Sequence, residues 1–241
     1  MGLNIVIVGG GSSLGAALTR KLSQLNHNII VITGKHQHEL QKIENVEYFY
    51  SPLKNTQDVT ASVETVREKF STVDVIFYNI GGGLGMHDPF LSYEDLNTLL
   101  WFNFGVIQEM NRLMLPEVNK GGKIICVGSI ATRQIMGSLG YTLSKTSLET
   151  YVKFMGQELI KKDISIMAIS IGAYWEKGNA MDRLKSNQPK IFNDFLTNRL
   201  PRKKMATSED IIPFLTTLCL NDSSIFSGAV IPMDGAESQA L

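Results

Sequence analysis

Cysteine is nearly absent from the 241-residue chain. Cys126 and Cys219 are the only two, each inside an apolar stretch (KIICVG and LTTLCL). A disulfide framework and zinc ligation are both excluded by so few, so placed thiols, and no metal site is expected. Net charge is absent as well: 23 Lys and Arg stand against 23 Asp and Glu. Nucleic acid and anionic membrane surfaces are bound by clustered positive charge, so neither is an expected partner. No uninterrupted apolar run approaches the roughly 18 to 20 residues that span a bilayer. The N-terminus, MGLNIVIVGGGSSLG, has no basic region ahead of its short apolar run, and a cytoplasmic protein is expected. With 44% hydrophobic and 19% charged residues, disorder and fibrous architecture are excluded too.

What the chain does contain is a series of strand-length apolar runs: LNIVIV from Leu3, NIIVIT from Asn28, VEYFY from Val46, VDVIFYN from Val73, GKIICVG from Gly122, ISIMAIS from Ile164 and SGAVIPM from Ser227. They hardly alternate with polar residues, as expected for strands covered on both faces in a parallel sheet. Such a sheet needs crossovers, and helix-period segments at 14–25, 55–70, 93–118, 141–162 and 208–220 supply them. The last has Ser208, Glu209 and Asp210 at its positive end, an N-terminal signature. Strand alternating with helix predicts an α/β fold, a doubly wound parallel sheet of Rossmann-like type in a single domain, 1–241. Residues 172–205 break this rhythm and carry eight Lys and Arg against three Asp and Glu, +5 in all. A late, long insertion of this kind is expected to be a substrate lid, with a solvated helical hairpin as the plainer alternative.

Residues 9–15, GGGSSLG, join the first strand to the first helix. Glycine permits the sharp turn and lets backbone N–H groups approach a pyrophosphate at the positive helix end. Gly9, Ser12, Ser13, Leu14 and Gly15 are therefore candidate dinucleotide ligands. After the second strand a carboxylate would select NAD by accepting from its ribose hydroxyl. This chain has Gly34 and Lys35, followed by His36 and His38, and a cation there favours the 2′-phosphate, hence NADP over NAD.

Tyr141 and Lys145, in YTLSK, are four apart on one helix face, and Ser129 lies twelve residues upstream of Tyr141, at the carboxyl end of a strand. Ligands of open α/β sheets bind at those ends. Taken with YNIG at 78–81, Asn103 and the ending SGAVIPMDGA, the chain resembles the short-chain dehydrogenase/reductase family along nearly its whole length. The resemblance implies hydride transfer between a nicotinamide and a carbonyl or hydroxyl group of a small-molecule substrate. It implies Tyr141 as general acid and base, Ser129 holding the substrate oxygen, and Lys145 lowering the phenol pKa and holding the ribose. Asn103 would position Lys145 through a water in a proton relay, although it could instead satisfy a buried backbone group. Asn79, Gly81 and Gly172, with Tyr141 and Lys145, would line the cofactor site.

Four positions depart from the family pattern. Ser13 replaces a glycine, Ser51 an acidic residue near the adenine, Ile171 a proline, and Glu176 the threonine expected at the carboxamide. These departures motivate an alternative, a non-catalytic dinucleotide-sensing or scaffold protein that kept the fold. The +5 insertion points to an anionic substrate such as a nucleotide sugar, an acyl-carrier ketone or a carboxylate. Apolar residues on several faces of helices 93–118 and 141–162 predict subunit contact, and in the resembling family these helices pair, so a homo-oligomer is expected.

Overall fold

In the computed structural model, which describes residues 2–35, 42–134 and 137–239, seven strands form one sheet. They are β1 (Asn4–Val8), β2 (Asn28–Thr33), β3 (Val46–Tyr50), β4 (Val73–Tyr78), β5 (Val118–Ser129), β6 (Ile164–Ile171) and β7 (Val230–Met233). Their order is β3-β2-β1-β4-β5-β6-β7, and every pairing is parallel. Successive residues of β1 point to opposite faces. Val6 and Val8 join one buried layer with α2 (Thr56–Lys69), α4 (Val106–Met114) and α5 (Leu139–Leu159). Ile5 and Ile7 join the other with α1 (Ser13–Ser23) and α8 (Ser208–Leu220). Because the chain runs outward from β1 in one direction and from β4 in the other, a crevice opens at their carboxyl ends.

Three expectations need correction. The helix expected over 93–118 is broken into α3 (Tyr93–Leu100), a π turn (Trp101–Gly105) and α4. The cause is Asn103, whose amide donates to Leu99 O at 2.9 Å and so competes for the carbonyl that its own N–H would take in an α-helix. The cap of α8 is Thr207 rather than Ser208, because the Asp210 carboxylate accepts from Thr207 N–H at 3.0 Å. The fifth strand begins at Val118, ahead of Gly122, which it reaches past an irregular register between Val73 and Val75.

Residues 172–205 form a hairpin of α6 (Ala180–Asn187) and α7 (Pro189–Asn198). Asn179 caps α6 by accepting from Asp182 N–H, and Pro189 at the first position of α7 suits a helix start. The hairpin has its own small core around Phe192, Leu200 and Met205. Its cations are largely engaged outside any ligand site. Lys185 sits over the Trp175 ring at 5.1 Å, Arg202 pairs with Asp210 at 3.2 Å, and Arg183 donates to Gly178 O at 2.9 Å.

Gly156 of α5 packs tightly on the turn before β7: a Cβ there would stand 2.3 Å from Gly228 Cα, backbone against backbone. Gly156→Ala is expected to lower unfolding stability by about 1–3 kcal/mol through overpacking, read as a reduced urea midpoint at unchanged slope.

Candidate active site

A cleft of about 560 Å³ opens at the carboxyl ends of the strands, between the turn after β1, the loop after β4, the end of β5 and the segment after β6. Its cofactor side is built from close backbone packing. Gly9 has φ +85, and a Cβ there would meet Asn79 O at 2.3 Å, while one on Gly15 would meet Gly9 O at 2.3 Å. Asn79 Nδ2 donates back to Gly9 O at 3.3 Å. These contacts clamp the ends of β1 and β4 together and set the start of α1 at the mouth of the crevice. Ser12, the N-cap, makes no side-chain cap and the first turn of α1 has no acid, so its N–H groups present uncompensated positive potential to the cleft. Ser12, Ser13, Asn79, Gly81 and Gly172 line the cleft. Gly9, Leu14 and Gly15 do not. The Leu14 side chain belongs to the core, leaving only its backbone at the site. A dinucleotide phosphate fits this cradle.

Ser13 takes φ +48, in the left-handed region that glycine reaches at least cost. Its hydroxyl and the Leu14 N–H bond to the phenol of Tyr174, a contact the sequence did not indicate. Lys35 is exposed at the end of β2, its N–H held by Thr33 Oγ1 at 3.1 Å. His36 and His38 lie outside the described residues. Ser51 is buried and hydrogen-bonded to the backbone of Asp58 at 3.4 Å.

The chemical end of the cleft joins α5 to β5. Tyr141 and Lys145 project from successive turns, about 6 Å apart along the axis, and both line the cleft. The Ser129 hydroxyl, at the last residue of β5, is hydrogen-bonded to the Tyr141 phenol and accepts from Ala131 N–H at 3.2 Å. Burial pushes the Tyr141 phenol above its usual 10.0; the Ser129 hydrogen bond opposes this, and the charge of Glu149, one further turn along α5, reinforces it. Lys145 is 3% exposed and bonds to Val127 O at 2.8 Å and Ile80 O at 3.4 Å. Burial brings its ammonium from 10.5 down to about 8. The expected lowering of the phenol by Lys145 is therefore not seen here: the ammonium points at two carbonyls, and the cost of burying a phenolate prevails.

Asn103 lies behind the cleft, fully buried. It accepts from Gly82 N–H at 2.8 Å and donates to Gly82 O at 3.0 Å. Its side chain thus serves buried backbone groups and fixes the glycine loop. Glu176 does not line the cleft, whereas Ile171 does. Among the lining residues that escaped sequence reasoning are Tyr174, Arg199 and Glu237, since no spacing relates them to the motifs.

Comparison with known proteins agrees with this geometry. A family model described as enoyl-(acyl carrier protein) reductase matches residues 9–236. A 3-oxoacyl-[acyl-carrier-protein] reductase of Buchnera aphidicola is 28% identical over 243 residues, covering 95% of each chain. The cyclic-di-GMP-binding biofilm dispersal mediator protein of Escherichia coli is 21% identical over 237 residues, covering 98% of this chain and 97% of that one. Among solved structures, the L-sorbose reductase of Gluconobacter frateurii, complexed with NADPH and L-sorbose, superposes with a TM-score of 0.87 at 20% identity, covering 100% of this chain and 98% of that one.

The depressed Lys145 pKa has a thermodynamic sign. Between about 8 and 10.5 the unfolded chain binds the proton that the folded chain has released, so this group's contribution to stability rises with pH and is lost as pH falls through 8. Stability measured against Lys145→Met should therefore favour the variant at pH 7 by up to a few kcal/mol, with the gap narrowing steadily toward pH 10.5. The order of strands, the clamped glycine turn, the Ser129–Tyr141–Lys145 constellation and the match over residues 9–236 lead to one assignment: the chain belongs to the short-chain dehydrogenase/reductase family of oxidoreductases.

Proposed function

We propose that the protein is an NADP(H)-dependent carbonyl reductase. The observation that carries this reading is the hydrogen bond between Ser129 and Tyr141 in the same cleft as buried Lys145. When bound, NADPH supplies the hydride to the carbonyl carbon. Tyr141 gives its phenolic proton to the carbonyl oxygen as charge builds there. Ser129 donates a hydrogen bond to the same oxygen. Lys145, a donor already aimed at the cleft wall, holds the ribose hydroxyls. Asn103 acts as a positioning residue, fixing the loop whose Ile80 carbonyl receives Lys145.

NADP is preferred because an exposed Lys35, and no carboxylate, ends β2, and because NADPH is the cofactor in the sorbose reductase complex and in the structure of BdcA, a TM-score 0.83 neighbour at 18% identity. The hairpin of residues 172–205 closes the substrate end, contributing Met181, Phe195 and Arg199 to the cleft wall. Of its cations only Arg199 lines the cleft, so the +5 charge of the hairpin bears on an anionic substrate through that one side chain. No described helix is long and apolar enough to cross a membrane, and two buried, unpaired cysteines suit a reducing cytoplasm.

A non-catalytic sensor is the second reading, favoured by the Escherichia coli mediator protein and by strained Ser13. One comparison separates them. NADPH should raise the thermal midpoint of wild type and Tyr141→Phe alike, and NADH less, while NADPH oxidation with ketones falls at least about a thousandfold in the variant. Oxidation undiminished in Tyr141→Phe refutes the reductase.

The expected homo-oligomer finds support in α5, where Leu139, Leu143 and Phe154 are 51%, 45% and 70% exposed along one face. Light scattering at micromolar concentration should return a multiple of 26.7 kDa; the monomer mass contradicts it.

A further inference from the structure

The turn after β7 delivers an acid to the cleft. Asp234 accepts from Ala236 N–H and Ser238 N–H, both at 3.0 Å, and Gly235 and Ala236 take φ +61 and +66. This turn places Glu237 in the cleft wall with 4% of the residue, and none of its side chain, exposed. Its Oε2 accepts from Ala173 N–H at 2.6 Å. Gly172 must stay bare beneath it, because a Cβ there would meet Oε2 at 2.8 Å and Asp234 Cβ at 2.7 Å. The carboxylate is thus locked against the backbone that follows β6.

Its other oxygen is unmatched. Oε1 is buried and has no hydrogen-bond partner. The nearest cation, Arg199 Nε, stands at 3.9 Å, beyond hydrogen-bond range. A buried acceptor left without a donor costs about 1–3 kcal/mol, so a donor from the ligand would recover free energy here. Arg199 offsets the carboxylate's charge locally, which leaves little to gain for either a cationic or an anionic ligand. A neutral hydroxyl donor gains most, since O–H···O⁻ bonds are short and strong.

We propose that Glu237, seated beside Arg199, is a specificity-determining residue that reads a hydroxyl group, so that the substrate is a neutral hydroxylated ketone rather than a plain acyl chain. The inference rests on the carbonyl-reductase reading.

The test is a set of ketone pairs, three to six carbons long, whose members differ only in carrying a hydroxyl or a methoxy group beside the carbonyl. NADPH oxidation is followed with wild type, Glu237→Gln and Glu237→Ala. In wild type, kcat/KM should favour the hydroxyl member by about tenfold or more, because a site built to accept a hydrogen bond rejects the analogue that lacks the donor. In Glu237→Gln the amide oxygen is kept by Ala173 N–H, turning the NH2 toward the ligand, so the preference should vanish or invert. Glu237→Ala should bring the ratio to within about threefold of unity. The ratio is internal to each variant, and an NADPH thermal shift like that of wild type reports that each variant is folded. A wild-type ratio near one, or a preference that survives in Glu237→Gln, overturns the subsite alone. Wild type that reduces neither member of any pair overturns the reductase reading and the subsite with it.

Discussion

A buried ammonium ties the cleft edge of the sheet together. Lys145 reaches from α5 to the carbonyl of Val127 on β5 and to that of Ile80 just past β4, so one cation bonds to backbone at the ends of two neighbouring strands. Burying it is unfavourable, as its depressed pKa records, and the two carbonyls together with the charge of Glu149 offset only part of that cost. The cleft has its shape because these strand ends are held in register with the helix that carries Tyr141. The cost of that arrangement falls on global stability, and its benefit on the geometry of the site.

The fold was largely legible because its signals are local. The run NIIVIT became β2 without a residue's change, since a strand buried on both faces has to be apolar throughout, and VEYFY became the edge strand β3, none of whose residues is buried. The constellation of Ser129, Tyr141 and Lys145 was legible for a similar reason: two members share a helix face, and the third ends a strand. What escaped notice depends on contacts between distant segments. The π turn depends on Asn103, whose amide takes Leu99 O while the same side chain bonds Gly82, 21 residues earlier, and Glu237 matters because its chain segment returns to Ala173, 64 residues before it. Nor could counting charges over residues 172–205 reveal which way each one faces. Most are bound to aromatic rings, carbonyls or Asp210.

The turn after β1 shows how a departure from the family pattern can be absorbed. Ser13 occupies a left-handed backbone position at a cost of about 1–2 kcal/mol relative to glycine. In exchange its hydroxyl reaches Tyr174 and links the start of α1 to the segment after β6. The turn after β1 and the segment leading into the hairpin of residues 172–205 are thereby joined through one side-chain contact.

Gly81 and Asn103 carry a different kind of constraint. A Cβ on Gly81 would lie 2.1 Å from Asn103 Oδ1, and the loop's φ of +106 disfavours any side chain besides. Neither position can drift alone: enlarging the first expels the amide that fastens Gly82, and shortening the second leaves that loop's backbone unpaired. The two sites form an epistatic couple, whose evolutionary path runs through simultaneous change or through none.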